Sequence, residues 1–356
     1  MYDFQQVFGW LCSHIKGMRL SRLKTLSAIV SGAMKMKGAG VLSLGRAMEG
    51  ETSAKHRIKR VWRFLRNPGV ENLQVSRSLF LSLIPAKGRI IVLCDWTDLK
   101  PYQQLILSIP KDGRSVPFLS QTIVEASGPG SMIEAEQRIL ACLQVICPQG
   151  REVIIVADRG FGNTRWVTDI QKWGWHFVQR IAGNHKVDLV GYHGFVSELG
   201  IIRGAASHDH GWGNWTDGNA LKVRLVTIFE TDAKEPWVLI TDLPDFKTEI
   251  IRIYKRRMWT EAMFRDLKNR NWGLGLDSTR LSKPDRHDRL FLVLALAYVL
   301  LMAYGAAAEA LGYDTLLKAN TENNRVMTLA RIGNYFMQTC QWGIERAFRA
   351  LWRLPM

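Results

Sequence analysis

The sequence predicts an α/β protein in which a mixed sheet flanked by helices is interrupted by a β-rich insertion and preceded by a helical unit. Three observations carry this. Two short apolar runs, residues 89–93 and 152–157, read as buried strands, and an aspartate follows each closely. Apolar residues spaced at three and four mark helices before, between and after those runs. Residues 187–240 alternate instead, as half-exposed strands do. Apolar content of 47% and charged content of 22% describe a folded globular chain. At 356 residues it can hold one large core within two or three units. A net charge of +16 asks for a polyanionic partner, nucleic acid or an anionic membrane.

Taken in order, residues 20–36 have helical spacing, with Leu23, Leu26, Ile29 and Val30 available for one face. Gly38 and Gly40 break the pattern, and residues 41–48 read as a second short helix. Thr52 opens a third, which closes at Asn67-Pro68-Gly69. Between 55 and 66 this helix carries seven basic residues and no acid: Lys55, His56, Arg57, Lys59, Arg60, Arg63 and Arg66. Ile58, Val61, Trp62 and Leu65 give it an apolar side as well. A solvated charge run is the bland alternative. The density of cations favours a small helical DNA-binding unit over residues 1–75, held mainly by phosphate contacts.

The central unit opens with the strand at 89–93, which leads into Cys94-Asp95-Trp96-Thr97-Asp98. Residues 103–109 and 116–124 read as partner strands around the turn at Pro110-Lys111-Asp112-Gly113. A helix follows over 132–147, then the second buried strand and Asp158-Arg159-Gly160-Phe161-Gly162-Asn163. Gly160 and Gly162 make a turn there, Asn163 is placed to cap the next helix, and 175–180 read as another strand. A three-strand meander, a helix and a further strand between two aspartates are the layout of a ribonuclease-H-like sheet. Asp98 competes with Asp95, and adjacency to the strand favours Asp95. The interval from Asp158 to Glu261 is too long for one crossover helix, so a β-rich insertion is expected over about 185–245. Within it, His208-Asp209-His210 reads as a polar loop in preference to a metal site.

Residues 253–271 have the period of one helix with two unlike sides. Tyr254, Arg257, Glu261 and Lys268 share a stripe about 60° wide, while Trp259, Met263 and Leu267 fall opposite, on a packing side. A carboxylate among cations suits a metal ligand beside phosphate-binding groups; the alternative is a solvated helix with ordinary ion pairs.

The spacing Tyr254-x2-Arg257-x3-Glu261-x6-Lys268 resembles the signature of bacterial insertion-sequence transposases of the DDE class, in the large family numbered four. The cut-and-paste transposase of transposon five belongs to the same superfamily. Residues 53–65, SAKHRIKRVWRFL, resemble that family's end-binding domain. Asp95-x-x-Asp98 and residues 158–163 resemble its motifs around the first two carboxylates. WVLIT at 237–241 resembles the strand whose tryptophan stacks on a base flipped out of the transposon end.

The resemblance implies that Asp95, Asp158 and Glu261 are the catalytic carboxylates and the ligands of two Mg²⁺ ions, for which Mn²⁺ can substitute. Tyr254, Arg257 and Lys268 would hold phosphates near the scissile bond, and Trp237 would stack on a base. Lys55, Arg57, Lys59, Arg60 and Arg63 would contact duplex DNA. The implied partners are transposon ends and target DNA, with a homodimer in the synaptic complex, in a bacterial cytoplasm at the nucleoid. A silent transposase-derived DNA-binding protein and a related metal-dependent nuclease are the alternatives.

After Lys268, residues 289–312 hold an apolar run of about the length that spans a membrane. One C-terminal span poorly explains the carboxylates upstream, so the reading is a buried helix of the core (85–310) and no membrane partner. Residues 311–356 form a C-terminal helical segment, basic and aromatic at Arg346, Arg349, Trp352 and Arg353. Five cysteines without a C-x-x-C pair argue against a disulfide framework or a zinc ribbon and for a reducing cytosol. The first residues lack a basic stretch followed by an apolar core, so no signal peptide is expected.

Overall fold

A computed structural model describes residues 2–35, 38–70, 72–216, 220–269 and 273–339. Arg346, Arg349, Trp352 and Arg353 lie outside these residues. Five helices come first: α1 (Tyr2–His14), α2 (Leu20–Lys35), α3 (Val41–Ala47), α4 (Ala54–Arg66) and α5 (Asn72–Leu83). A meander follows, β1 (Ile90–Leu99), β2 (Tyr102–Lys111) and β3 (Arg114–Val124). The β2–β3 turn is Asp112-Gly113, both at positive φ (46° and 78°), the handedness that matches the strand twist of a two-residue hairpin.

Helix α6 (Pro129–Ile146) crosses to β4 (Val153–Ala157), and α7 (Thr164–Lys172) to β5 (His176–Arg180). Pro129 stands in the first turn of α6, where its missing N–H costs nothing. Asn163 caps α7 as its position suggested, Oδ1 accepting from Trp166 N at 2.8 Å. The alternating region supplies β6 (Lys186–Leu189), β7 (Tyr192–Phe195), β8 (His208–Trp215), β9 (Leu221–Ile228) and β10 (Trp237–Thr241). Four further helices complete the described chain: α8 (Lys247–Lys255), α9 (Met258–Lys268), α10 (Pro284–Ala310) and α11 (Leu329–Thr339).

Among the described residues, the ten strands form one sheet in the order β3-β2-β1-β4-β5-β10-β9-β8-β6-β7. Strands β1, β4 and β5 are parallel, β2 runs antiparallel to β1, and β3, antiparallel to β2, returns to the direction of β1, an arrangement compatible with a ribonuclease-H-like fold. The inserted strands are not a separate sheet. Strand β10 pairs antiparallel with β5 and carries the rest outward from that edge.

The pleat sends alternate residues to opposite faces. Leu93, Ile154, Val156, Val178 and Leu239 pack under Ile250, Ile253 and Tyr254 of α8. Val92, Cys94, Ile155, Ala157 and Phe177 belong to a larger cluster that also holds α5, α6, α7, α10 and the N-terminal helices. Helix α10 is the apolar run that resembled a membrane span. Every residue from Arg289 to Met302 is buried, and 89% of its most apolar stretch lies inside the molecule. It packs on β3, α2, α5 and α11, so the core-helix reading accounts for its composition.

Candidate active site

The parallel ladder between β1 and β4 ends at the pair Cys94–Ala157. Asp95 and Asp158 are the next residues on their strands, and the register therefore sets the two carboxylates side by side. Asp158 lies just past β4. Asp95 does not close its strand, as the sequence suggested: β1 runs on to Leu99 and pairs Asp95 with Ile106 of β2. Asp98 is exposed on the opposite pleat, where its Oδ1 accepts from Gln103 at 3.4 Å.

The third carboxylate arrives on α9, and here the structure corrects the sequence. Residues 253–271 are not one helix. Helix α8 stops at Lys255, Arg256 and Arg257 form a turn, and α9 starts at Met258. No glycine or proline marks the break. Short i to i−3 bonds tighten it, Arg257 N to Tyr254 O at 2.9 Å and Thr260 N to Arg257 O at 2.9 Å. Met263 and Leu267 are buried as expected, whereas Trp259 is only half-buried.

The turn aims Arg257 at the carboxylates. Its Nη2 donates to Asp95 Oδ2 at 3.1 Å and to Asp158 Oδ2 at 3.2 Å, and its Nη1 to Glu261 Oε1 at 3.1 Å. One guanidinium thus gathers all three acids named from the sequence. Arg257 and Asp95 are nearly covered, with side chains 14% and 10% exposed, while Glu261 is half in solvent at 52%. Burial pushes the Asp95 carboxyl up to about 6, against the pull of Arg257, with Asp158 adding to the rise. Burial disfavours the Arg257 charge, but the surrounding acids outweigh it and hold its pKa above the ordinary value. The Asp158 carboxylate also accepts from Gly160 N at 2.8 Å, which fixes the turn after β4.

The other residues of the stripe part company. Tyr254 is buried at 1% exposure, not displayed beside Glu261, and its ring meets Trp237 edge-on at 5.0 Å between centroids. Burial pushes its hydroxyl up to about 12. Trp237 is half-buried at the start of β10. Lys268 donates to the Asp98 carbonyl at 2.7 Å, tying the end of α9 to β1. On α4, Lys55, Lys59, Arg63 and Arg66 are exposed and recur at four, four and three residues, one stripe along the helix. Arg57 is turned inward, donating to the carbonyls of Gly45 and Gly50 at 3.2 Å and to that of Thr52. Arg60 reaches Thr25 Oγ1 on α2 at 3.2 Å and 3.1 Å.

Two features went unread in the sequence. Thr260 donates to Asp95, and Glu235 bridges Arg159 (2.6 Å) and Arg180 (3.0 Å) next to Asp158 and Trp237. A hydroxyl residue one before the motif glutamate was the available signal for the first; the second joins segments too far apart in sequence for any local signal.

Among the described residues, no three His, Cys, Asp or Glu side chains stand grouped to hold an ion, and the Arg257 guanidinium lies between Asp95, Asp158 and Glu261. The donor set nevertheless fits a hard divalent cation: three carboxylates, all oxygen, already converge on one positive charge. At the insertion, Asp209 is committed to Arg224, and His210 Nε2 lies 3.0 Å from Thr227 Oγ1. His208-Asp209-His210 is thus not a loop: it opens strand β8, paired with β9.

Among solved structures, the chain resembles an Argonaute from Aquifex aeolicus at a TM-score of 0.27 and 12% identity, over 66% of this chain and 36% of the other. It thus spans little more than a third of that protein's length. No curated protein matches it. The model of the transposase DDE domain matches residues 112–300, which hold Asp158, Tyr254, Arg257, Glu261 and Lys268 but not Asp95 or α4. That match covers more than half of the chain, which belongs to the transposase DDE domain family.

Proposed function

We propose that the protein is the DNA transposase of an insertion sequence, of the family numbered four and related to the transposase of transposon five. It binds the terminal inverted repeats, cleaves the element ends and joins their 3′-hydroxyls to target DNA. The observation that carries this reading is the convergence of Asp95, Asp158 and Glu261 on Arg257 at the end of the β1–β4 ladder. Asp95, Asp158 and Glu261 would hold two Mg²⁺ ions, or Mn²⁺ in their place. When bound, such ions supply Lewis-acid stabilisation of the attacking and leaving oxygens.

The chain's own groups divide the rest of the work. Arg257 offsets the mutual repulsion of the acids and is within reach of a phosphate brought to them. Lys268 holds the far end of α9 to β1 and supplies a second cation for the phosphates of the bound strand. Tyr254 supports Trp237 from beneath, leaving the half-exposed indole as a platform for an unstacked base. Residues 1–75 form the end-binding unit, with Lys55, Lys59, Arg63 and Arg66 tracking phosphates while Arg57 and Arg60 brace α4. Residues 85–310 form the catalytic core, with the insertion at about 185–245, and residues 311–356 a C-terminal helical segment. Two copies act together in a synaptic complex on duplex DNA, in the cytoplasm at the nucleoid.

Cleavage and strand transfer on the element's own ends with Mg²⁺, comparing wild type with Glu261→Ala, test the reading. Wild type should nick and join, and Glu261→Ala should bind ends yet lose both steps by at least about a hundredfold. Equal cutting by both proteins would place the chemistry elsewhere.

A further inference from the structure

Thr260 stands one residue before Glu261, in the first turn of α9, and is 1% exposed. A threonine in a helix commonly satisfies its hydroxyl on a carbonyl three or four residues back. Thr260 makes such a contact, to Arg257 O at 2.7 Å. It also makes a second one that local structure does not require: its Oγ1 lies 2.9 Å from Asp95 Oδ2, joining α9 to β1. The hydroxyl has a single proton for two acceptors, and the charged carboxylate forms the stronger bond.

Asp95 Oδ2 therefore has two partners, Thr260 and Arg257, whereas none of the described residues donates to Oδ1. The two partners are not equivalent. The guanidinium is shared among three acids, and any divalent cation brought to those acids competes with it for the same oxygens. The hydroxyl is neutral and has no such conflict. It can keep its bond to Oδ2 whichever cation the acids hold.

We propose that Thr260 is a positioning residue for Asp95: it fixes the carboxylate through Oδ2 and so leaves Oδ1 as the oxygen presented to a divalent cation. This rests on the three-carboxylate reading above. The hydrogen-bond partners of ligating carboxylates act in this way, setting the orientation in which the ligand oxygen meets the ion.

The test is Mn²⁺ binding to the full chain, by titration calorimetry, for wild type, Thr260→Val, Thr260→Ser and Asp95→Asn, with thermal midpoints for each. Thr260→Val should weaken Mn²⁺ binding by about 10–100-fold, and Thr260→Ser should stay within about threefold of wild type. A role in packing alone predicts the opposite order, because valine keeps the β-branch and serine loses it. Wild-type affinity in Thr260→Val would overturn the proposal. Should that variant not fold, Thr260→Ala carries the same expectation and the same overturning result. If Asp95→Asn binds Mn²⁺ as tightly as wild type, the three-carboxylate reading itself fails, and the role of Thr260 with it.

Discussion

Arg257 does in this structure what a metal ion would be asked to do: it puts positive charge among three acids that otherwise repel one another. It is nearly buried, so its removal should be felt. Breaking a largely buried ion-pair cluster by deleting the single cation leaves uncompensated charge, a loss on the order of 3 kcal/mol. Arg257→Ala should accordingly melt below wild type in chelator. The same change frees the carboxylate oxygens, and a ligand that binds only the folded state stabilises it by about 2.7 kcal/mol at a hundred times its dissociation constant. Added Mn²⁺ should therefore raise the thermal midpoint of Arg257→Ala more than that of wild type. An equal rise in both would mean that guanidinium and ion do not compete for one place.

At the scale of elements, what could be read from the sequence depended on whether the signal was local. Strands β1 to β5 announced themselves through apolar runs and turn residues, and Asn163 through its place before a helix. The three acids could be picked out because two adjoin buried apolar runs and the third sits in a spaced signature. The break before α9 was not, because Lys255-Arg256-Arg257-Met258 contains no breaker and the apolar period runs through it. The break coincides with the hydrogen bonds Arg257 makes to Asp95 and Asp158, tertiary contacts that periodicity does not contain. The same limit applies to α4. Its seven basic residues look alike in sequence, but Arg57 faces the α3–α4 loop while Lys59 and Arg63 face solvent. Lys59→Ala with Arg63→Ala should lower the slope of log affinity against log salt on mixed-sequence duplex DNA by about 2, with the thermal midpoint unchanged. Arg57→Ala should leave most of that slope and cost about 1 kcal/mol of stability instead. Identical salt slopes in wild type and the double variant would remove α4 from the DNA-binding surface.

For the whole molecule, the decisive fact is that the N-terminal helices and the sheet share one hydrophobic cluster. Helix α10 touches α2, α4 and α5 as well as β3 and α11. Polar ties cross the same boundary: Arg289 donates to Leu65 O at 2.7 Å and Asn334 to Met34 O at 2.7 Å. Gly275 lies so near Gly38 that a β-carbon there would stand 2.5 Å from the Gly38 Cα. At the crossing of α10 and α11, a β-carbon on Gly305 would meet Leu329 O at 1.9 Å, so these helices also close directly on each other's backbone. The unit proposed to grip DNA is thus part of the wall behind the sheet that carries the acids. A chain beginning at residue 85 would lose α1 to α5 and expose the side of α10 they cover, an apolar surface with nothing left to bury it. It should therefore aggregate or bind a hydrophobic dye strongly, and lose the sharp thermal transition of the full chain. If it instead melts cooperatively near the full-length midpoint, the helical unit is an independent domain, and movement of the DNA-binding helices relative to the acids becomes the natural expectation. If it fails as described, α4 and Asp95 are held in one rigid frame, and the distance between the bound repeat and the cleaved bond is set by the core itself.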